Sequence, residues 1–94
     1  MKQETAEIIG IKVLTWLISK DELFPVFMGS TGISEQELRE RLAAQETELF
    51  SAVLDFVTMD DAWVQSCAED TGLAPEDPMR ARQALPGGAE INWT

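Results

Sequence analysis

The sequence predicts an all-α fold, a compact six-helix bundle made of two pseudo-repeated three-helix units. Three observations carry that expectation. Apolar residues recur at helical spacing in two long segments, as in Ile9, Val13, Trp16 and Leu17 and again in Leu49, Val53, Phe56 and Val57. The stops Thr31-Gly32-Ile33 and Thr71-Gly72-Leu73 punctuate the chain in the same way. A shift of forty residues superimposes those stops without a gap and aligns Val13 with Val53, Leu14 with Leu54 and Asp21 with Asp61. The five identities exceed the roughly two expected by chance over such a window.

The first helix is expected over Ala6 to Ile18. Ile8, Ile11 and Leu14 widen its apolar stripe, which predicts a helix nearly surrounded by others. Ser19 and Glu22 have the form of a capping box for a second short helix. Pro25 would break a hydrogen bond there, so the helix either starts later, near Asp21, or is kinked. At its end Gly32 suits a left-handed cap, with Ile33 packing back in a Schellman motif. Ser34 and Glu37 form a clearer capping box for a third helix reaching about Ala44, and Glu37 and Arg41 lie four apart in the favourable order. A fourth helix is expected over about Glu46 to Thr58. The fifth runs from about Asp60 to Asp70, with Ala62, Trp63, Cys67 and Val64 as inward positions. Pro75 suits the first position of a sixth helix, which Pro78 would shorten. The chain therefore reads as one domain over residues 1–94, with halves at about 6–44 and 46–85 and a C-terminal tail at 86–94.

Ninety-four residues can bury enough surface to fold without disulfides or metal. The formal net charge is −10, which opposes direct binding to nucleic acid or to an anionic membrane surface. It favours solubility, and beyond that a basic partner. The charge is uneven: residues 1–43 carry seven acids and five bases, whereas residues 44–94 carry ten acids and two bases. No Lys or Arg occurs between Ala44 and Met79. One cysteine, Cys67, fits a reducing compartment. Neither a secretory leader nor a run of about 20 apolar residues is evident, so the expected location is cytoplasmic.

Histidine is absent, which removes the commonest acid–base residue and metal ligand. Ser–His–Asp and Cys–His catalysis, cysteine-rich zinc sites and phosphate-binding glycine loops are all excluded as motifs. Neither a cofactor nor a metal is expected. Carboxylates are the surviving chemistry, in the adjacent pairs Asp60-Asp61, Glu69-Asp70 and Glu76-Asp77. Neighbours on a helix point about 100° apart, so these pairs suit capping and solvation better than convergent catalysis. Cys67 reads as a small core residue, its thiol pKa raised by acidic neighbours, and Met28, Met59 and Met79 read as gap fillers. Trp93 in the tail either folds back on the core or docks on a partner.

The segments Ala6-Glu7-Ile8-Ile9, Val53-Leu54-Asp55-Phe56, Thr71-Gly72-Leu73 and Ala81 to Gly88 together resemble a family of small acidic helical bacterial proteins classed as a domain of unknown function. The resemblance implies a helical fold over almost the whole chain and supplies no catalytic residue or ligand. The functional expectation is a non-enzymatic protein-interaction or adaptor module, self-association included. It would bind through the acidic second half or through an apolar groove between the halves. Asp60, Asp61, Glu69, Asp70 and Trp93 are the candidate partner-binding residues. The alternatives are an acidic mimic of nucleic acid that inhibits a nucleic-acid-binding protein, and a carboxylate-based enzyme.

Overall fold

Helices α1 (Gln3–Ile18), α2 (Phe24–Thr31), α3 (Glu35–Ala43), α4 (Thr47–Thr58), α5 (Asp61–Thr71) and α6 (Asp77–Ala84) follow one another along the chain. The computed structural model describes residues 1–86, so Trp93 lies outside the described residues. No strand occurs among those residues.

The core forms where the two long apolar helices cross. Val13, Leu14 and Leu17 of α1 and Leu49, Phe50, Val53, Leu54 and Val57 of α4 are all sealed from solvent. Burying each such side chain is worth about 1.5–3 kcal/mol, which lets two helices of modest propensity form at all. Gly10 permits the crossing to be tight: a β-carbon placed there would lie 2.9 Å from the Phe50 Cβ. Phe27 from α2 meets Phe56 edge-to-face at 5.4 Å, and Phe56 stacks on Trp63 at 4.9 Å. Arg82 of α6 is tied to α4 through an ion pair from its Nε to Asp55 Oδ1. Packing joins the halves across the chain more than within them. The main neighbours of α1 are α6, α4 and α5, all from the second half. This packing does not by itself confirm the expected arrangement as two pseudo-repeated three-helix units, although α4 also packs on α6 and α5 within the second half.

Helix ends show where local chemistry decides and where it does not. Ser34 caps α3 as expected, its Oγ accepting from the Glu37 N–H at 3.1 Å and donating to Glu37 Oε1 at 3.4 Å. Ser19 does not open α2; it closes α1, donating its hydroxyl to the Trp16 carbonyl at 2.6 Å. The chain then turns, and α2 begins late enough to place Pro25 in its first turn, where a missing N–H costs nothing. Pro78, not Pro75, plays that part in α6, while Asp77 Oδ2 accepts from the Ala74 N–H at 3.0 Å.

Gly32 and Gly72 are both left-handed, at φ +73° and +80°. Each makes the single bond of an αL cap, Gly32 N–H to the Met28 carbonyl and Gly72 N–H to the Ala68 carbonyl. The second bond of the expected Schellman motif is replaced by a threonine. Thr31 and Thr71 each accept the following apolar residue's N–H on their hydroxyl, at 3.4 and 3.3 Å. The Schellman motif instead ends α3, with the Glu46 N–H on the Arg41 carbonyl and the Gln45 N–H on the Leu42 carbonyl. Gln45 pays for this with φ +52°. Gly72→Val should lower stability by about 1–2 kcal/mol, because space is open around the site and only the backbone conformation opposes a side chain. Gln45→Gly should change stability in the opposite sense, by about 0.5–1 kcal/mol. Chemical denaturation of both variants reads the two signs, and an unshifted Gly72→Val midpoint would be incompatible with the αL cap.

Several side chains lie farther out than their apolarity predicts. Ala62 is exposed on α5, and Met59 and Met79 are 71% and 46% exposed, so neither fills a gap in the core. On α1, Ile8, Ile11 and Ile18 retain 55%, 36% and 43% of their surface. That helix is packed on one side and open on the other.

Candidate functional site

The C-terminal ends of α1 and α5 meet around one carboxylate. Trp16 Nε1 donates to Asp70 Oδ2 at 2.8 Å, and Lys20 Nζ lies 2.8 Å from the same oxygen. Lys20 follows Trp16 by one helical turn and stands 5.5 Å from the centre of its ring. The indole is 5% exposed, so its N–H needs an internal acceptor, and Asp70 supplies one from 54 residues away. Asp70 sits at the negative end of α5, where a carboxylate is disfavoured by the helix dipole. The Lys20 ammonium and the Trp16 N–H reverse that penalty and hold the carboxyl below its ordinary pKa.

Two clefts open on either side of this bridge, and both are walled by Trp16, Ser19 and Lys20. The first, about 520 Å³, runs between the α1–α2 turn and α5, and adds Asp21, Glu22, Leu23, Trp63 and Ser66. The second, about 650 Å³, runs between α1 and α5 and adds Ile11, Lys12, Thr15, Asp70 and Thr71. The first therefore has an apolar floor of Trp16, Trp63 and Leu23 and two acids on its rim.

The candidate acids divide. Asp60 is the α5 N-cap, accepting from the Ala62 and Trp63 N–H groups at 2.8 and 3.4 Å. Asp61 is exposed in the first turn and Glu69 is exposed in the last. The two pairs are about 14 Å apart along the helix axis at 1.5 Å per residue, so they form no single cluster. Asp70 alone joins the site. Lys20, Leu23 and Ser66 are its residues that sequence reasoning did not single out, and Trp16 and Trp63 were read only as packing residues of their helices. Cys67 is buried, and burial itself is the main cause of its raised pKa; Asp70 adds to the rise while the Thr71 hydrogen bond and Lys20 oppose it.

Among the described residues no group of three His, Cys, Asp or Glu side chains is placed to hold a metal ion. No described helix is long and apolar enough to cross a membrane. A family model described as "Protein of unknown function (DUF3572)" matches residues 3–88. The chain belongs to this family. The matched range runs through all six helices. No curated protein and no solved structure matches the chain.

The bridge makes a pH prediction whose sign follows from Asp70. Its folded pKa lies below the unfolded value, so its contribution is complete above about pH 4 and is lost as pH falls through the folded pKa. Asp70→Asn should therefore melt below wild type at neutral pH, and the two melting curves should converge on acidification below pH ~4. A gap that is constant from neutral to acid pH would mean that the carboxylate charge does not matter.

Proposed function

We propose that this DUF3572-family chain is a non-enzymatic protein-interaction module that receives an apolar side chain from a basic partner segment in the cleft between the α1–α2 turn and α5. The observation that carries the reading is the cleft's composition, two tryptophans and Leu23 beneath the acidic rim of Asp21 and Glu22. Aromatic floors supply large apolar contact area with few rotamers to freeze, which is why tryptophan recurs at binding hot spots. The rim would steer a cationic segment without needing a buried ion pair. The cytoplasm, where Cys67 stays reduced, is the compartment that suits this role.

Nucleic-acid mimicry has less support, because it needs a stripe of free, spaced acids. Asp55 is engaged by Arg82, Asp60 and Asp77 cap backbone amides, and Asp70 is held by Trp16 and Lys20. A carboxylate enzyme also has less support, since a general acid needs a raised pKa and Asp70 is shifted the other way.

A photo-crosslinking residue at Ser66, with the same residue at exposed Gln36 as reference, tests the proposal in the intact chain. One protein should be trapped from Ser66 and not from Gln36. Its yield should fall at high salt and in the Asp21→Lys/Glu22→Lys variant. Equal trapping at both positions, or a Ser66 product indifferent to salt and to the rim charges, would overturn it.

A further inference from the structure

The open side of α1 has the residue order of a helix-pairing seam. Ile8, Ile11, Thr15 and Ile18 follow one another at spacings of three, four and three, the a and d positions of a heptad. Ile8 is 55%, Ile11 36% and Ile18 43% exposed, and Thr15 is exposed beside them. Thr15 does not interrupt the seam with an unsatisfied donor, because its hydroxyl already donates to the Ile11 carbonyl at 2.8 Å.

Charges on the two flanks say what would cover it. With Ile8 at a, Glu7 falls at g and Lys12 at e, five residues apart on opposite sides of the apolar line. In a parallel pair of such helices, a g residue of one faces the e residue five positions later on the other. Two copies of α1 would thus make two Glu7–Lys12 contacts, one on each flank. An antiparallel pair along the same seam would instead bring Lys12 against Lys12 near its centre and carry Glu7 to the far end, away from Lys12. Within the chain Lys12 makes no ion pair among the described residues, and Glu7 accepts only from the Gln3 side chain on its own helix.

We infer that the chain self-associates through a parallel pairing of α1 with a second copy, along the Ile8–Ile11–Thr15–Ile18 seam with Glu7 and Lys12 setting the register. This does not rest on the cleft reading above, whose floor and rim lie on the other side of Trp16. The seam spans eleven residues, a rise of about 15 Å of helix, shorter than a standard stable interface provides. Association is therefore weak and concentration-dependent. It strengthens with moderate salt, which screens the repulsion between two chains of net charge −10.

Sedimentation equilibrium of the full chain over a wide concentration range, with circular dichroism confirming the fold of each variant, tests the inference. Wild type should approach twice the monomer mass at the highest concentrations. Ile8→Glu and Ile18→Glu should each weaken association by about tenfold or more, as expected for a charge placed in an apolar seam. Glu7→Lys and Lys12→Glu should each weaken it by roughly two- to fivefold, and the double variant Glu7→Lys/Lys12→Glu should recover it. A chain that stays monomeric throughout, seam variants that associate like wild type, or a double variant that fails to recover would each overturn the proposal.

Discussion

Gly10→Val should destabilise the fold by about 3 kcal/mol, the upper part of the range for overpacking a well-filled core. The first atom added at Gly10 already meets the Phe50 Cβ at 2.9 Å and its Cγ at 3.1 Å. A Cβ moves only with its backbone, so the clash must be relieved by separating α1 from α4, and no rotamer change suffices. For a domain of this length the melting point should fall by roughly 12–24 °C. Gly29 is the internal comparison. It also lies inside a helix, but nothing stands within 4 Å of a β-carbon there. Gly29→Ala should raise stability by up to about 1 kcal/mol through helix propensity alone. Thermal melts that moved both glycine variants in the same direction would refute the tight α1–α4 crossing.

Trp16→Ala should cost about 3–5 kcal/mol, the range for removing a buried aromatic side chain. The loss has two parts that a second variant separates. Trp16→Phe keeps most of the apolar contact but leaves Asp70 with Lys20 alone, so its effect should be the smaller one. Above pH ~4 the phenylalanine variant should also narrow the gap between Asp70 and Asp70→Asn backgrounds, because one of the two groups favouring the charged carboxylate is gone. Denaturant titrations at neutral pH measure both losses. A phenylalanine variant as damaged as the alanine variant would mean that the retained apolar contact contributes nothing and that the effect lies in what only the indole supplies, its shape and its N–H bond to Asp70.

What could be read from the chain divides by the range of the interactions involved. The buried stripe Ile9–Val13–Trp16–Leu17 of α1, its counterpart on α4, the Ser34 cap and the left-handed Gly32 and Gly72 depend on residues within a turn of one another, and each was legible. Ser19 was misread for a related reason: its hydroxyl had two local carbonyl and amide environments to choose from, and it took the end of α1 rather than the start of α2. Gln45 adopts a left-handed conformation because the turn into α4 demands it, and nothing in a glutamine announces that. Ile8 and Ile18 have the same side chain as buried Ile9, so composition alone could not say which faces of α1 are covered. The bridge was the least visible feature. Trp16 and Asp70 are 54 residues apart, and their meeting follows from how α5 lies across α1, which no periodicity encodes.

The packing of α1 chiefly on α6 and α4 has a consequence for how the chain is made. A ribosome adds roughly 5–20 residues per second, so several seconds separate the emergence of α1 from that of its last partner. Until α4, α5 and α6 have all emerged, Ile9, Val13, Leu14, Trp16 and Leu17 lack part of their cover, and the isoleucines on the opposite face add to the apolar surface on display. Folding of this domain is therefore expected to complete only after the sixth helix has emerged. Nascent chains stalled before Ala84 should be protease-sensitive and bound by chaperones, whereas chains released beyond it should acquire protection in one step.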